Sequence, residues 1–307
     1  MVAGDAMRYA RQEVMIGAEG QARLRAARVL VVGAGGLGVP VLQYLVAAGV
    51  GRIVLVDPDR VEVSNLHRQP IYGRHLGMPK VHAAALEMAA LNPDVVVEGL
   101  AERLDPSNAA ALVAKADVVL DCADSFAATY VLSDACFAAG RALISASVLR
   151  AEGFVGGFCG GAPSVRAVFP ELPERAGSCA SSGVMGPMVG MIGAAQAQMA
   201  MTVLLGDHAP LGSILRFDGL RPSGFRFDGA AEQEGFRFIA LKDVCKDDLA
   251  VELREEAERP FVPWAVREAC PDGRRVVFAC RSGLRAWAAA DRLRRRWPGE
   301  IVLVAMG

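Results

Sequence analysis

The run Arg28-Val29-Leu30-Val31-Val32 leads directly into Gly33-Ala34-Gly35-Gly36-Leu37-Gly38, and an apolar stretch at helical spacing follows from Val39 to Ala48. A β-branched run, a glycine turn and a helix in immediate succession leave a chain few ways to fold. The glycines let the backbone approach an anion closely, and the following helix points its N-terminus at that anion. Arg52 to Val56 supplies a second strand and closes a βαβ unit. Asp57 ends that strand nineteen residues after Gly38, close to the ~20-residue spacing at which a carboxylate meets ribose hydroxyls.

The same rhythm continues. Strands are expected at Val95 to Leu100, Val118 to Asp121 and Ala142 to Ala146, with helices at Lys80 to Leu91, Ser107 to Lys115 and Tyr130 to Ala139. Such alternation predicts an α/β fold built on a Rossmann-like, doubly wound, mainly parallel sheet. After Ser147 the chain turns Gly- and Pro-rich, and Gly160 to Ser178 reads as a mobile surface loop. With 307 residues, 53% of them apolar, there is material for one large core and a smaller second one. The expected organisation is a domain over residues 1–218, a turn-rich linker over 219–234 and a small α/β domain over 235–307. In the last, strands are expected at Phe236 to Leu241 and Arg275 to Ala279, and a helix from Leu284 to Trp297.

Charge narrows the partners. Lys plus Arg total 33 against 34 Asp plus Glu, a balance that offers no broad basic surface for nucleic acid or anionic lipid. Met1 to Arg11 lack the apolar stretch of a secretion signal, which points to the cytoplasm and to reduced thiols. Gly183 to Gly206 carries no charge and is long enough to span a bilayer, but its Gly, Pro and Gln residues and its lack of basic or aromatic flanks favour a helix buried in a core or interface. The cysteines 122, 136, 159, 179, 245, 270 and 280 contain no Cys-x-x-Cys pair, so a zinc site is not expected.

The residues beyond Asp57 bear on which nucleotide would bind. Asp59, Ser64, Asn65, Arg68 and Gln69 are followed by Lys80, and then by Asp124 and Ser125. A triphosphate needs several cations and a carboxylate for Mg²⁺. A nicotinamide-dependent oxidoreductase, the leading alternative from another enzyme class, has little use for Arg68 and Lys80 so near the phosphate turn.

Arg8-Tyr9-Ala10-Arg11-Gln12, the Gly33 to Gly38 turn, Asp57-x-Asp59, Ser64-Asn65-Leu66-His67-Arg68-Gln69, Lys80 and Asp124 together resemble the ThiF/MoeB/HesA family, prokaryotic relatives of ubiquitin-activating enzymes. The resemblance covers Met7 to Asp218. It implies a homodimer that binds ATP and Mg²⁺ and adenylylates the C-terminal carboxylate of a ubiquitin-like sulfur carrier ending in Gly-Gly, releasing pyrophosphate. The carrier would serve thiamine or molybdenum-cofactor synthesis. By the same resemblance Gly33, Gly35, Gly36, Gly38, Asp57, Asp59, Ser64, Asn65, Arg68, Gln69, Lys80, Asp124 and Ser125 surround the nucleotide. Asp124 would hold Mg²⁺, with Asp59 a weaker candidate, and Arg11 would reach into the partner subunit's site. The chain departs from the family where two Cys-x-x-Cys pairs are common, and at Ser125 and Thr129, where an Asn and a basic residue are common. A carrier-binding scaffold without catalysis is the third reading.

Two thiols stand out. Cys179 precedes the uncharged helix, where a helix N-terminus favours thiolate; it resembles the family's carrier-linking cysteine, and a small residue packed at a helix start explains it equally well. Cys280 opens Cys280-Arg281-Ser282-Gly283-Leu284-Arg285, a loop whose N–H groups would cup a thiolate or persulfide. It resembles the active-site loop of rhodanese sulfurtransferases, and implies a cysteine desulfurase as sulfur source and high reactivity for Cys280. The surrounding segment is short for a rhodanese, and a degenerate domain kept for docking or stability is the competing reading.

Overall fold

The computed structural model describes residues 5–172, 183–254, 262–263 and 273–305. Helices α1 (Asp5–Arg8) and α2 (Ala10–Ala26) precede β1 (Arg28–Val32), α3 (Gly38–Ala47), β2 (Arg52–Val56), α4 (Lys80–Leu91) and β3 (Val96–Leu100). Then come α5 (Ala109–Val113), β4 (Val118–Asp121), α6 (Phe126–Ala139), β5 (Ala142–Leu149), β6 (Glu152–Cys159), α7 (Val165–Val168), α8 (Gly186–Leu204), β7 (Ser213–Asp218) and β8 (Arg221–Arg226). These eight strands form one sheet in the order β3-β2-β1-β4-β5-β6-β7-β8. The first five are parallel and the last three antiparallel.

Both faces of the sheet are covered, as the apolar run of β1 requires. Val29 and Val31 enter one core with α3, α4 and α8, while Leu30 and Val32 enter the opposite core with α6. Helix α8 crosses α3 closely: a Cβ at Gly193 would lie 2.4 Å from Pro40 Cγ and 2.8 Å from the Leu37 carbonyl oxygen. Gln196 of α8 is fully buried, donating to the backbone carbonyls of Asp121 (2.7 Å) and Ile144 (2.9 Å). The uncharged segment is therefore an internal helix. Among the described residues no helix is long and apolar enough to cross a membrane.

A second parallel sheet comprises β9 (Arg237–Phe238), β10 (Leu249–Glu252), β11 (Val262–Pro263), β12 (Val276–Cys280) and β13 (Ile301–Ala305), ordered β11-β10-β12-β13-β9, with α9 (Leu284–Arg294) after β12. Two expected elements change, and one stretch to which the sequence assigns no element gains a strand. The Gly-rich stretch after Ser147 folds as β6, paired with β5 from Leu149↔Glu152 to Ala142↔Cys159; Gly156 and Gly157 serve close approaches, a Cβ at Gly157 falling 2.5 Å from the Pro210 carbonyl oxygen. Residues 221–226, expected in the linker, form β8 and complete a hairpin with β7. The strand expected from Phe236 shrinks to two residues because Leu241–Asp243 turns as a 3₁₀ helix.

Candidate nucleotide site

The glycine turn sits at the carboxyl end of β1, and its neighbours there are β2, ending at Val56, and β4, ending at Asp121. A ligand crevice is expected at this edge, outside the carboxyl ends of the strands. Gly33 has φ +102°, the left-handed region that favours glycine, and a Cβ there would lie 2.5 Å from the Cys122 carbonyl oxygen. Gly33 and Gly38 are buried while Gly35 and Gly36 are partly open. The outer glycines shape the turn; Gly35 is open on the side of its missing side chain, whereas a Cβ at Gly36 would lie 2.7 Å from Val189 Cγ1 of α8.

Asp57 locks this turn to the next strand. One of its oxygens accepts the Ala34 N–H at 2.7 Å and the other the Asp59 N–H at 2.7 Å. Burial pushes its carboxyl above the ordinary range, against the pull of Lys80 and of those two N–H groups. Lys80, at the first turn of α4 and nearly buried, holds Asp59 Oδ2 at 2.8 Å. Asp59, the weaker magnesium candidate, is thus the counter-ion of Lys80.

Arg68 comes from the segment between β2 and α4. Its guanidinium donates to Asn65 Oδ1 at 2.8 Å and to the Ser64 carbonyl at 3.3 Å, and its methylene stem lies 3.5 Å from where a Gly36 Cβ would stand. Ser64 and Asn65 therefore aim Arg68 across the turn. Gln69 is 2% exposed; its amide nitrogen would meet a Gly35 Cβ at 3.7 Å, and its Oε1 is buried without a partner among the described residues. An orphaned acceptor beside an open glycine is a place for a ligand donor.

Asp124 is exposed at the carboxyl end of β4 and makes no hydrogen bond or ion pair among the described residues. The Ser125 hydroxyl approaches the Ser282 carbonyl at 3.5 Å. Arg11 is not brought to this site. It is exposed on α2, which is tied through Gln12 and Gln21 to the Ala48 carbonyl, at the end of α3 remote from the phosphate turn. Cys179 lies outside the described residues. Cys280 is 1% exposed, with its Sγ accepting the Ala286 N–H at 3.3 Å, so one N–H of the expected cradle is in place around a buried sulfur. Among the described cysteines the exposed one is Cys245. Also among the described residues, no group of three or more His, Cys, Asp and Glu side chains is placed to hold a metal ion.

Two contributors escape a reading of the sequence. Tyr72, fully buried, donates its hydroxyl to the Ala34 carbonyl at 2.8 Å and pins the glycine turn from outside. Asp121 is fully buried, accepting from Thr129 Oγ1 at 2.7 Å, Ser145 Oγ at 2.8 Å and the Ala123 N–H at 3.2 Å. Thr129, the family's departure, is thus employed internally. A polar residue ending an otherwise apolar strand, Val118 to Asp121, was the available signal.

Burial pushes the Asp121 carboxyl up to about 6, with the bonds from Thr129, Ser145 and Ala123 pulling it down and the Asp124 charge adding a smaller push. The folded value lies above the ordinary 3.8, so the folded chain holds this proton more tightly than the unfolded one. That contribution to stability is fully present below about pH 4 and is lost as pH rises through about 6, amounting to about 3 kcal/mol. Asp121→Asn is expected to flatten the stability profile over that window, measured by denaturant titration at several pH values; a slope as steep as the parent's contradicts the assignment.

A doubly wound sheet with a glycine turn at the start of its first crossover helix places the molecule in the Rossmann-like class. Within that class the chain belongs to the ThiF family, which residues 9–235 match. It is 47% identical over 222 residues to the adenylyltransferase and sulfurtransferase MOCS3 of Sus scrofa, across 70% of this chain and 49% of that one. The chain thus spans about half the length of that curated relative. It is 44% identical over 228 residues to the sulfur carrier protein adenylyltransferase of Thermus thermophilus, across 70% of this chain and 84% of that one. Crystal structures of E. coli MccB share the fold: the complex with ATP superposes with a TM-score of 0.63 at 21% identity, covering 72% of each chain.

Proposed function

We propose that this chain adenylylates the C-terminal glycine carboxylate of a ubiquitin-like sulfur-carrier protein ending in Gly-Gly. The observation that carries the reading is the placement of Arg68 over Gly36 and of Gln69 over Gly35, with Asp57 bracing the turn. The names of the relatives in S. scrofa and T. thermophilus, an adenylyltransferase and sulfurtransferase and a sulfur carrier protein adenylyltransferase, support the same reaction class.

In that reaction a carrier carboxylate oxygen attacks the α-phosphorus of ATP, and the bond to the β-phosphate oxygen breaks. Pyrophosphate leaves with the electron pair. Two anions must be brought together, so the protein's contribution is positioning and charge neutralisation rather than a covalent intermediate. Arg68 and Lys80 supply fixed positive charge, and release of Lys80 from Asp59 frees its ammonium for a phosphate oxygen. Asp57 would accept from the ribose hydroxyls with the lone pairs its two backbone bonds leave free. Asp124 would hold Mg²⁺, since one or two carboxylates completed by phosphate oxygens and water is that ion's ordinary donor set. Bound there, the ion supplies neutralisation of the triphosphate.

Arg11 would serve the partner's site in a homodimer. Val14 (89% exposed), Met15 (85%) and Tyr44 (56%) leave apolar surface on α2 and α3, and Tyr44 with Pro40, Leu91 and Gly190 lines a groove of ≈ 460 Å³. Burying such a patch against a second copy removes it from water. Of the two carrier classes, the missing Cys-x-x-Cys pairs and the residues Ser125 and Thr129 favour a thiamine-type carrier over a molybdenum-cofactor one.

Mass spectrometry of a Gly-Gly carrier incubated with the protein, ATP and Mg²⁺ tests the reading: an AMP adduct on the carrier is expected, and an unmodified carrier under conditions where nucleotide is bound contradicts it. Sulfur loading is a separate step, with a cysteine desulfurase as source. For Cys280→Ser and Cys179→Ser the expected result is parental adenylylation with thiocarboxylate formation reduced about tenfold or more, because a thiol nucleophile acts only once the adenylate exists. Parental thiocarboxylate yield in both variants would make each cysteine structural.

A further inference from the structure

The Cys280 loop is docked on the start of α6, the helix that follows Asp124. The Ser282 carbonyl accepts the Ala127 N–H at 3.1 Å and lies 3.5 Å from the Ser125 hydroxyl. Helix α6 has no side-chain cap of its own, so a carbonyl from the other sheet's loop meets one of the donors a helix start leaves unpaired. The approach is close. Gly283 has φ +89°, and a Cβ there would stand 3.0 Å from the Phe238 ring and 3.2 Å from Ala127 Cβ.

Further along α6 the same contact is clamped. Tyr130 meets Trp287 of α9 with ring centroids 5.3 Å apart, and Trp287 meets Phe236 edge-on at 5.2 Å. Arg166 lies over the rings of both Tyr130 and Trp287 and grips Asp134 of α6 with two bonds, at 2.6 and 2.8 Å. The two sheets share one apolar core across this contact. Thr129, between the loop contact and the clamp, binds Asp121. The segment 121–134 is therefore gripped from the first sheet at Asp121, from the second module at Ser125, Ala127 and Tyr130, and from α7 at Asp134 through Arg166, and Asp124 is carried between those grips. In this docked arrangement Cys280 is 1% exposed.

We propose that the Cys280 loop is a positioning element of the nucleotide site: by holding Ser125 and Ala127 through the Ser282 carbonyl it fixes the Asp124 segment, so that occupancy at Asp124 and exposure of Cys280 oppose one another. The inference rests on Asp124 acting at the nucleotide's metal. Its chemical sense is order, because a sulfur nucleophile held back until the nucleotide's metal departs meets an already activated carboxylate. Linkage makes the coupling reciprocal: whatever opens the loop weakens Mg-ATP, and Mg-ATP closes the loop.

The test is the alkylation rate of each cysteine in the full chain, followed by peptide mass spectrometry. Mg-ATP should slow labelling of Cys280 by about fivefold or more, while ATP with chelator does not, and labelling of Cys245, which is exposed, and Cys136, which is buried on α6 in the core the two sheets share, stays within the scatter. Gly283→Ala should then raise the Mg²⁺ concentration for half-maximal exchange by a similar factor, with kcat nearly unchanged. Equal Cys280 rates with and without Mg-ATP, with nucleotide binding verified by calorimetry, overturn the proposal. Equal slowing of Cys136 overturns it too, since that reports general stabilisation. If Gly283→Ala fails to fold, the parental labelling rates decide. Selective protection of Cys280 in a chain that gives no carrier adenylate would uphold the linkage and refute the adenylylation reading, which separates the two.

Discussion

Lys80→Ala and Arg68→Ala are each expected to lower carrier-dependent exchange between pyrophosphate and ATP by about a hundredfold, the scale of losing one fixed donor in a water-poor transition state. The two losses should differ in kind. Lys80 is paired with Asp59 and faces the Asp57 carboxylate, so removing it leaves two carboxylates uncompensated where a triphosphate must enter. Binding of ATP should weaken along with kcat. Arg68 is aimed by Asn65 and Ser64 from a separate loop. If it chiefly meets charge that develops on the α-phosphate, kcat should fall with little change in KM. Arg68→Lys should recover only part of the rate, because a single ammonium cannot keep both the Asn65 bond and a phosphate contact in the guanidinium's planar arrangement. Near-parental exchange in both alanine variants, with melting temperature unchanged, would remove these cations from the chemistry.

Gly38→Ala and Gly35→Ala should part fold from function within one turn. A Cβ at Gly38 would lie 2.0 Å from the Gly33 carbonyl oxygen, a backbone atom with nowhere to go, whereas a Cβ at Gly35 meets only the Gln69 amide nitrogen at 3.7 Å. Gly38→Ala is expected to cost about 3 kcal/mol or more, at the upper end for overpacking, and to lower the melting temperature by roughly 5 °C or more. Gly35→Ala should melt like the parent and yet bind ATP at least about tenfold more weakly, as a methyl group occupies the face a phosphate must approach. Calorimetry and thermal melts on both variants check this. Unchanged ATP affinity in Gly35→Ala would show that the glycines serve only the packing of α3.

The sequence made the parallel half of the main sheet legible because its signals are local. Strands β1, β2 and β4 and helix α4 fall where the β-branched runs and the apolar spacing put them, since each packs an uninterrupted apolar face. Antiparallel β6 and β8 were hidden. Glycine in β6 reads locally as loop, and its purpose appears only once Pro210 and Ile214 crowd against it; Arg221–Arg226 is exposed at every position, an edge strand with no apolar side to announce it. At the site, Asp57, Arg68 and Lys80 were legible as charges in a fixed order after a glycine turn. Tyr72 and Gln196 were not, because their partners are backbone carbonyls far away in the chain. The contact between Ser282 and the start of α6 is of the same kind. Its position depends on how two sheets pack, which no spacing within either one encodes.

Exchange of labelled pyrophosphate into ATP, run with a Gly-Gly carrier and with the same carrier lacking its final glycine, tests the proposed activity most directly. Mg²⁺-dependent exchange is expected with the intact carrier, background with the truncated one, and loss of exchange in Lys80→Ala. Absence of carrier-dependent exchange from a folded protein that binds Mg-ATP would contradict it.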